Sequence, residues 1–314
     1  MDVVTFGETM VVLSPLTTGP LRYVQHFEKT IGGAESNVAI GLVRLGHQVS
    51  WISRLGEDEF GIYTRNFIRG EGVDTSAVMF DKRYPTGVFF KERQAAQDPK
   101  VYYYRAGSAA SQMTPEDIQD HHLKDAKILH LTGITPALSE SCRETVLHSI
   151  ALARKHQVKV VFDPNIRLKL WSKAEAQKTL FEMASLCDVV LPGIDEGELL
   201  TGETEPEAIA EALRQNGASV VVVKLGAEGA YFQSIKESGY ASGVKVEHIV
   251  DTIGAGDGFA AGLLSGFIRG WSLSEAVALG NRVGAFALTV AGDVEGYPYW
   301  SQLEQGKENK QIHR

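Results

Sequence analysis

The stretch Asp251-Thr252-Ile253-Gly254-Ala255-Gly256-Asp257-Gly258 places small residues and a carboxylate at the predicted start of an apolar, glycine-rich helix that continues from Phe259 to Arg269. The first N–H groups of a helix lack intrahelical partners, and the helix dipole adds partial positive charge there, so this turn can bind an anion such as phosphate. A carboxylate repels phosphate, and its presence is explained if Asp257 takes a proton from an attacking hydroxyl. Asp251 or Asp257 could otherwise be only a helix N-cap, a position at which Asp is common.

Length, composition and charge limit the classes of protein to consider. The chain has 314 residues, of which 44% are hydrophobic and 22% are charged, as in an ordinary globular protein. This length suits one large α/β unit with a smaller attachment, and we expect a single domain over residues 1–314. The net charge of −8 argues against nucleic acid or an anionic membrane as a partner, so an anionic substrate must be met by local basic groups.

The cysteines and the amino terminus bear on the compartment. Cys142 and Cys187 have no CxxC partner and no histidine at metal-ligand spacing, which argues against a zinc site or a disulfide scaffold. The amino terminus lacks the basic segment of a secretory signal, and no run of about 18 apolar residues is present. We therefore expect buried thiols, a reducing compartment and a cytoplasmic location.

The middle and later parts of the chain alternate β-branched runs with segments of helical period. The predicted strands are 127–131, 158–162, 188–191 and 220–225, and the predicted crossover helices are 139–156, 173–186 and 206–215. This alternation predicts a mostly parallel sheet covered by helices on both faces. Polar residues follow the strands at 132–133, 163–167, 192–196 and 226, the end of such a sheet at which ligands collect.

A different pattern runs from Thr86 to Ala106. Two runs rich in aromatic and β-branched residues, 86–93 and 101–105, flank a turn-rich segment at 95–99 and predict an inserted β-hairpin. With residues 11–23 the hairpin could form a small sheet that acts as a mobile lid over the strand ends. The alternatives are an ordinary antiparallel edge or a dimer contact, and a dimer contact is compatible with a lid because exposed aromatic strands need a partner.

Glycines recur every fourth residue at 258, 262 and 266, and again at 280 and 284. Glycine inside a helix is destabilising by roughly 0.5–1 kcal/mol relative to alanine, so the repeats indicate that something approaches closely. We expect a neighbouring helix rather than the nucleotide. The tail from Gln305 to Arg314 is expected to fray.

Several common nucleotide-binding signatures are absent. No Walker A sequence is present, which excludes a P-loop enzyme, and the HRD and DFG sequences of protein kinases are missing. The segment from Gly254 to Phe259 departs from the dinucleotide-binding fingerprint at its last position.

Two motifs together resemble the signatures of the ribokinase-like, or PfkB-type, carbohydrate kinases. The first is Ile31-Gly32-Gly33-Ala34-Glu35-Ser36-Asn37-Val38-Ala39, continuing to Leu45-Gly46, and the second is Asp251 to Gly258. Their order and separation agree with the family, and the strand–helix alternation extends the resemblance over nearly the whole chain. The resemblance implies a ribokinase-like three-layer α/β/α fold with a central, mostly parallel sheet and a small β-sheet lid formed by inserted segments at about 11–30 and 84–110.

The resemblance also implies a reaction, the transfer of the γ-phosphoryl group of ATP to a primary sugar hydroxyl. In this reaction Asp257 accepts the hydroxyl proton, and the backbone N–H groups of Gly254, Ala255 and Gly256 hold the phosphoryl oxygens, as the chemistry requires. Two further segments, 103–111 and 163–171, resemble the 2-keto-3-deoxygluconate kinases.

The residues expected to bind the sugar come from both motifs and from the lid. Arg105 and Arg167 are expected to bind a carboxylate, because guanidinium groups do so in bidentate fashion and a neutral sugar would not need two of them. Either arginine could instead be a surface ion-pair partner, and Phe89 and Tyr103 could close over the sugar or only pack the lid. The predicted substrate-binding residues are Gly32, Gly33, Ala34, Asn37, Phe89, Tyr103, Arg105, Ile134, Arg167, Asp257 and Asp293, of which Asp293 could instead cap backbone.

The nucleotide is expected beside the same turn. Lys224 can bring a cation near the phosphates, and Asn281 resembles a family position close to the adenine. Glu196 matches the acidic end of the family's Asn-x-x-Glu motif, which helps to organise magnesium. Gly193 stands where the family has Asn. Because Mg²⁺ keeps several waters, Glu196 is expected to bind it through water. The predicted cofactor-binding residues are Asn165, Glu196, Lys224, Gly226, Gly254, Gly256 and Asn281, and a monovalent-cation site near Asp251, which occurs in relatives, stays open.

Three functions are compatible with these observations. The first is ATP-dependent phosphorylation of 2-keto-3-deoxygluconate in sugar-acid catabolism, and the second is a fructokinase or ribokinase activity on a neutral sugar. The third is a sugar-binding sensor that keeps the kinase fold without catalysis, although the presence of Asp257 argues against it. The expected assembly is a homo-oligomer formed through the lid sheet.

Overall fold

A computed structural model of the chain describes residues 1–93 and 100–308, so the turn predicted at 95–99 lies outside the described residues. An eight-stranded sheet forms the centre, in the order β14-β13-β12-β11-β10-β9-β1-β4. All neighbouring pairs from β12 to β4 are parallel, and β13 and β14 extend the sheet in antiparallel pairing. The strands are β1 (Val3–Phe6), β4 (Val49–Ile52), β9 (Ile128–Thr132), β10 (Lys159–Asp163), β11 (Val189–Val190), β12 (Val220–Lys224), β13 (Gly229–Ser234) and β14 (Ser238–Ser242).

Helices cover both faces of this sheet, as predicted. Successive residues of a strand point to opposite faces, so Val222 packs against one core and Val221 and Val223 against the other. The helices are α1 (Ala34–Arg44), α2 (Glu59–Gly70), α3 (Asp120–Leu123), α4 (Glu140–Lys155), α5 (Lys173–Ala184), α6 (Ile194–Thr201), α7 (Pro206–Gln215), α8 (Ala255–Ile268), α9 (Leu273–Ala287) and α10 (Trp300–Glu308). One core includes side chains of α1, α8 and α9, and the other includes side chains of α4, α5 and α7.

A separate four-stranded sheet, in the order β3-β2-β7-β8, contains both segments predicted for the lid. Its strands are β2 (Met10–Pro15), β3 (Phe27–Gly32), β7 (Val88–Glu92) and β8 (Lys100–Tyr104), and β7 and β8 form the predicted hairpin. A further two-stranded sheet joins β5 (Arg54–Gly56) to β6 (Met79–Asp81). The register of the four-stranded sheet puts Met10, Phe89 and Tyr103 on one face, here called the inner face, and Phe27, Phe90 and Tyr104 on the other, the outer face.

The predicted glycine repeats and the predicted tail have different outcomes. α8 and α9 pack so closely that a Cβ atom on Gly262 would lie 2.7 Å from the Leu279 carbonyl oxygen, which confirms close approach of a neighbouring helix. α10 extends as far as Glu308, and the rest of the tail lies outside the described residues, so fraying of the tail stays a prediction. Leu303, just before the predicted tail, packs in a small apolar cluster with side chains of α9. Cys142 and Cys187 are both buried free thiols.

Candidate active site

A cavity of about 470 Å³ lies between the inner face of the small sheet and the carboxyl ends of the central strands. Every residue predicted to bind the sugar lines this cavity, although these residues are spread from Gly32 to Asp293 along the chain. Gly254, Gly256, Asn165, Glu196 and Lys224 line it as well. The structure therefore brings both sequence motifs, the hairpin and the strand ends to one place.

The turn before α8 has a backbone conformation that only glycine adopts readily. Gly254 is the residue before the helix and has φ of +79°, in the left-handed region. A Cβ atom there would lie 2.0 Å from the carbonyl oxygen of Asp293, and the Tyr297 hydroxyl donates to the Gly254 carbonyl at 2.7 Å. The N–H groups of Ala255, Gly256 and Asp257 belong to the first helical turn and are free for an anion.

Asp257 lies on that first turn and does not cap the helix, since the cap residue is Gly254. Its Oδ2 accepts a hydrogen bond of 2.8 Å from Asn37 Nδ2, which comes from the start of α1. Burial raises the pKa of Asp257 to about 7; Asn37 opposes the shift, and the nearby charge of Asp163 adds to it. A carboxylate with this pKa is a suitable base near neutral pH.

Asp293 and Lys91 form an ion pair at the wall of the cavity. Lys91 Nζ lies 3.1 Å from Asp293 Oδ1, and both side chains are buried. Burial raises the pKa of the Asp293 carboxyl, and Lys91 opposes the rise. Lys91 is not among the residues predicted from the sequence, although strand alternation indicates it, because Lys91 follows Phe89 by two residues and therefore shares its face.

The two arginines have different surroundings. Arg105 is buried and pairs through Nη2 with Glu8, whose other carboxylate oxygen accepts from the Ser108 hydroxyl. Arg167 is exposed, and its Nη1 donates to the carbonyl of Ile166 at 3.2 Å. Glu8 also lines the cavity and was missed by the sequence analysis, since a single acidic residue after the first strand carries no distinctive pattern.

Charged and amide side chains at the ends of β10, β12 and the start of α6 form the other end of the cavity. Lys224 Nζ lies 2.7 Å from Asp163 Oδ2. Burial disfavours the charged form of Lys224, but the neighbouring carboxylates, Asp163 first, more than offset this effect and raise the pKa of Lys224. The Glu196 oxygens accept backbone N–H groups of Gly193 and Ile166, each at 2.8 Å. Asn165 has φ of +37°, and its buried Oδ1 has no hydrogen-bond partner.

Three predicted residues do not line this cavity: Ala255, Gly226 and Asn281. Asn281 donates to the carbonyls of Ala241 and Ser242 at the end of β14, at 3.0 and 3.1 Å. Beside it lies an apolar groove of about 450 Å³, between the segment 244–250 and the α9 residues that follow Asn281.

The loop around Asp251 is held by backbone contacts. Its carboxylate accepts from the N–H of Ile253 at 3.1 Å and of Gly292 at 3.3 Å.

Within residues 1–93 and 100–308, no cluster of three acidic, histidine or cysteine side chains is arranged to hold a metal ion. In the same residues, every helix is too short or too polar to cross a bilayer.

Comparisons with known proteins agree with this geometry. A family profile described as pfkB family carbohydrate kinase matches residues 1–299. The 2-dehydro-3-deoxygluconokinase of Bacillus subtilis (strain 168) is 43% identical over 305 residues, which cover 96% of this chain and 94% of that protein. The 2-dehydro-3-deoxygluconokinase of Thermoproteus tenax is 35% identical over 309 residues, covering 97% and 94%. An E. coli structure described as a ribokinase II in complex with ATP and Mg²⁺ superposes with a TM-score of 0.91 at 25% identity, covering 98% of this chain and 99% of that one.

Proposed function

The chain belongs to the PfkB family of carbohydrate kinases, and we propose that it phosphorylates 2-keto-3-deoxygluconate, also called 2-dehydro-3-deoxygluconate, at its primary hydroxyl with ATP. The product is 2-keto-3-deoxy-6-phosphogluconate, an intermediate of sugar-acid catabolism. The observation that carries the proposal is the presence, in one cavity, of a base with a raised pKa, an anion-binding turn and two guanidinium groups. The two relatives named 2-dehydro-3-deoxygluconokinase support the same substrate.

In the proposed mechanism, Asp257 accepts the proton of the sugar hydroxyl while the hydroxyl oxygen attacks the γ-phosphorus. The bond from the γ-phosphorus to the β–γ bridging oxygen breaks, and ADP leaves. Backbone N–H groups of the turn, from Gly254 and Gly256, which line the cavity, and from Ala255 between them, would stabilise the negative charge on the transferring oxygens. The turn fixes these groups before the reaction starts.

The sugar would lie between the lid and the start of α1. Gly32, Gly33, Ala34 and Asn37 are proposed to bind its hydroxyls, with Phe89, Tyr103 and Ile134 against its carbon skeleton and Asp293 as a late polar contact. Arg105 and Arg167 are proposed to bind its carboxylate. Glu8 offsets part of the charge of Arg105, and this one feature favours a neutral sugar as the second candidate substrate.

ATP is proposed to extend from the anion-binding turn past Lys224 and Gly226 toward Asn281, with the adenine in the adjacent apolar groove. The unpartnered Oδ1 of Asn165 and the carboxylate of Glu196 fit a hydrated Mg²⁺ ion bound to the phosphates, since Mg²⁺ prefers oxygen ligands and keeps waters. The ion would neutralise phosphate charge. Asp251 has both carboxylate oxygens engaged by backbone N–H groups, and a monovalent cation beside it stays a proposal.

We further propose that residues 1–314 act as one kinase domain, whose lid comprises the segments at about 11–30 and 84–110. The chain is proposed to form a homo-oligomer through the outer face of the lid. It is also proposed to work in the cytoplasm. The cytoplasmic location is supported by the absence of disulfides in the described residues and by the metabolic nature of the substrate.

The test is a comparison of turnover on 2-keto-3-deoxygluconate, fructose and ribose, measured as ADP released in the presence of ATP and Mg²⁺. We expect the acidic sugar to have the highest kcat/KM. A strong preference for fructose or ribose would contradict the proposed substrate and favour the second candidate. Absence of ADP release with every sugar would favour a non-catalytic sugar sensor.

A further inference from the structure

Lys91 occupies an unusual position for a lysine. It lies on β7 in the lid sheet and points from the inner face into the molecule, with only 7% of the residue exposed. On one side it lies beside the apolar cluster of Met10, Phe89 and Val101, and on the other it lines a second cavity with Glu28 and Arg93. A buried ammonium group is unfavourable unless a counter-charge meets it, and the carboxylate in contact with Lys91 is Asp293.

Asp293 belongs to the body of the protein and not to the lid, since it follows α9. Its Oδ1 contacts Lys91 at 3.1 Å, and its Oδ2 lies 3.5 Å from Asn37 Nδ2. The same Asn37 amide nitrogen donates to Asp257 Oδ2 at 2.8 Å. A continuous polar chain therefore runs from the lid strand through Asp293 and Asn37 to the carboxylate on α8.

We propose that Lys91 is a positioning residue that makes the geometry and charge of Asp257 depend on a seated lid. The proposal rests on the function assigned to Asp257 above. The two hydrogens of the Asn37 NH2 group face two carboxylates, with the shorter hydrogen bond to Asp257 while Lys91 neutralises Asp293. When the lid lifts, Lys91 leaves with it, and the uncompensated charge of Asp293 draws the amide away from Asp257. The base is then correctly held only when the lid covers the sugar and excludes water.

The charges around the pair are consistent with this role. Asp293 faces Lys91 from the lid, Asp251 from the loop before α8 and Asp257 from α8, and its amide partner is Asn37 from α1. On its other side Lys91 lines a cavity with Glu28, Arg93 and Glu295. Without Lys91, the Asp293 carboxylate loses its ion-pair partner and stays beside Asp251 and Asp257. Asp257 would then be harder to ionise, because the charge of Asp293 raises its pKa.

The test uses Lys91→Met, Lys91→Arg, Asp293→Asn and the double variant Lys91→Met/Asp293→Asn. Lys236→Met is the matched control, because Lys236 is an exposed lysine on the turn between β13 and β14, outside the lid sheet. We expect Lys91→Met to lower kcat by at least about tenfold at pH 7 with the KM for ATP unchanged, and to move the acidic limb of the kcat profile to higher pH. Lys91→Arg should keep kcat within about threefold, and Lys236→Met should match the wild type.

The double variant separates positioning from loss of a simple contact. If Lys91 acts through the charge of Asp293, adding Asp293→Asn to Lys91→Met should reverse the shift of the acidic limb, and the two losses should not add. An unshifted limb in Lys91→Met with only a higher sugar KM would overturn the proposal, as would losses that simply add. Thermal unfolding of each variant identifies a folding defect, and Lys91→Gln replaces Lys91→Met if that variant does not fold.

These outcomes are distinct from failure of the proposed substrate. The variants are assayed on whichever sugar the wild-type protein phosphorylates best, so a neutral-sugar kinase would still test the role of Lys91. An inactive wild type would contradict the proposed function, and with it the role of Lys91, before any variant is compared.

Discussion

At the scale of single residues, Asp257 combines two opposed requirements. As the proposed base it must ionise, but the nearby charges of Asp163 and Asp293 oppose its ionisation in a site proposed to accept phosphate. Burial and the neighbouring carboxylates raise the pKa of Asp257. With this pKa, Asp257 can accept a proton near neutral pH, and it is less often charged and therefore repels phosphate less than an ordinary aspartate does.

We expect Asp257→Asn to lower kcat by roughly 10²–10⁴ if general base catalysis is its role. In the wild type, kcat/KM should fall as the pH drops below about 7, because protonation of Asp257 removes the base. Steady-state rates between pH 5 and pH 9, with a buffer control at constant ionic strength, measure both effects. Full activity of Asp257→Asn would remove the residue from the mechanism.

The same variant should be more stable than the wild type at pH 8. The folded-state pKa of Asp257, about 7, lies above the ordinary value of 3.8 for an aspartate, so the fold disfavours ionisation, and stability is lost as the pH rises through that interval. Asn removes this penalty, and we expect a gain on the order of 1 kcal/mol at pH 8 that disappears near pH 3. Urea unfolding at both pH values is the measurement, and an equal gain at both would point to a cause other than ionisation.

Arg167 offers a cleaner test of substrate charge than Arg105. Replacing Arg105 would leave the buried carboxylate of Glu8 without its ion-pair partner and would disturb folding, whereas Arg167 is exposed. Its guanidinium donates to a backbone carbonyl, and its charge lowers the pKa of Asp257. Arg167→Met should raise the KM for an acidic sugar by roughly 10- to 100-fold, the loss of a charge-assisted hydrogen bond, with little change in Tm. Equal effects on acidic and neutral sugars would contradict carboxylate binding by Arg167.

At the scale of elements, the sequence was informative where a segment has its own period. The predicted helix at 206–215 coincides with α7, and the predicted strand at 158–162 lies one residue before β10. The hairpin was predictable from its aromatic alternation, but the parallel pairing of β2 with β7 was not, because the two strands are distant in sequence and no local pattern links them. Glu8 lies just before β2, so its place in the site depends on that distant pairing, whereas Lys91 could have been found from its alternation with Phe89.

The α8–α9 contact gives a stability prediction. Gly262→Ala would bring a Cβ atom to 2.7 Å from the Leu279 carbonyl oxygen and 2.8 Å from Gly280 Cα, both rigid backbone atoms. We expect a loss of about 1–3 kcal/mol from overpacking. The matched control is Gly70→Ala at the end of α2, where nothing lies within 4 Å and alanine should stabilise by about 0.5–1 kcal/mol. Chemical denaturation compares the two, and stabilisation by both would show that the helices can separate easily.

At the scale of the whole molecule, the two faces of the lid sheet differ. The inner face lines the cavity, and the outer face carries a row of aromatic rings. The ring centroids of Phe27 and Phe90 are 5.5 Å apart, and those of Phe90 and Tyr104 are 5.7 Å apart. Tyr104 is 68% exposed. A thin sheet with one buried face and one aromatic exposed face gains stability if a second copy covers the exposed side.

We therefore expect Tyr104→Glu to shift the protein toward a smaller assembly, because a charge at the centre of an apolar contact must lose its hydration when the contact forms. Sedimentation velocity over a range of protein concentrations is the measurement. Ile235→Glu is the control, since Ile235 is 85% exposed on the turn between β13 and β14, at the edge of the central sheet and outside the lid sheet. If the lid also needs a partner to stay rigid, Tyr104→Glu should raise the sugar KM while the apparent affinity for ATP is kept. An unchanged assembly in Tyr104→Glu, or an equal change in Ile235→Glu, would place the contact elsewhere.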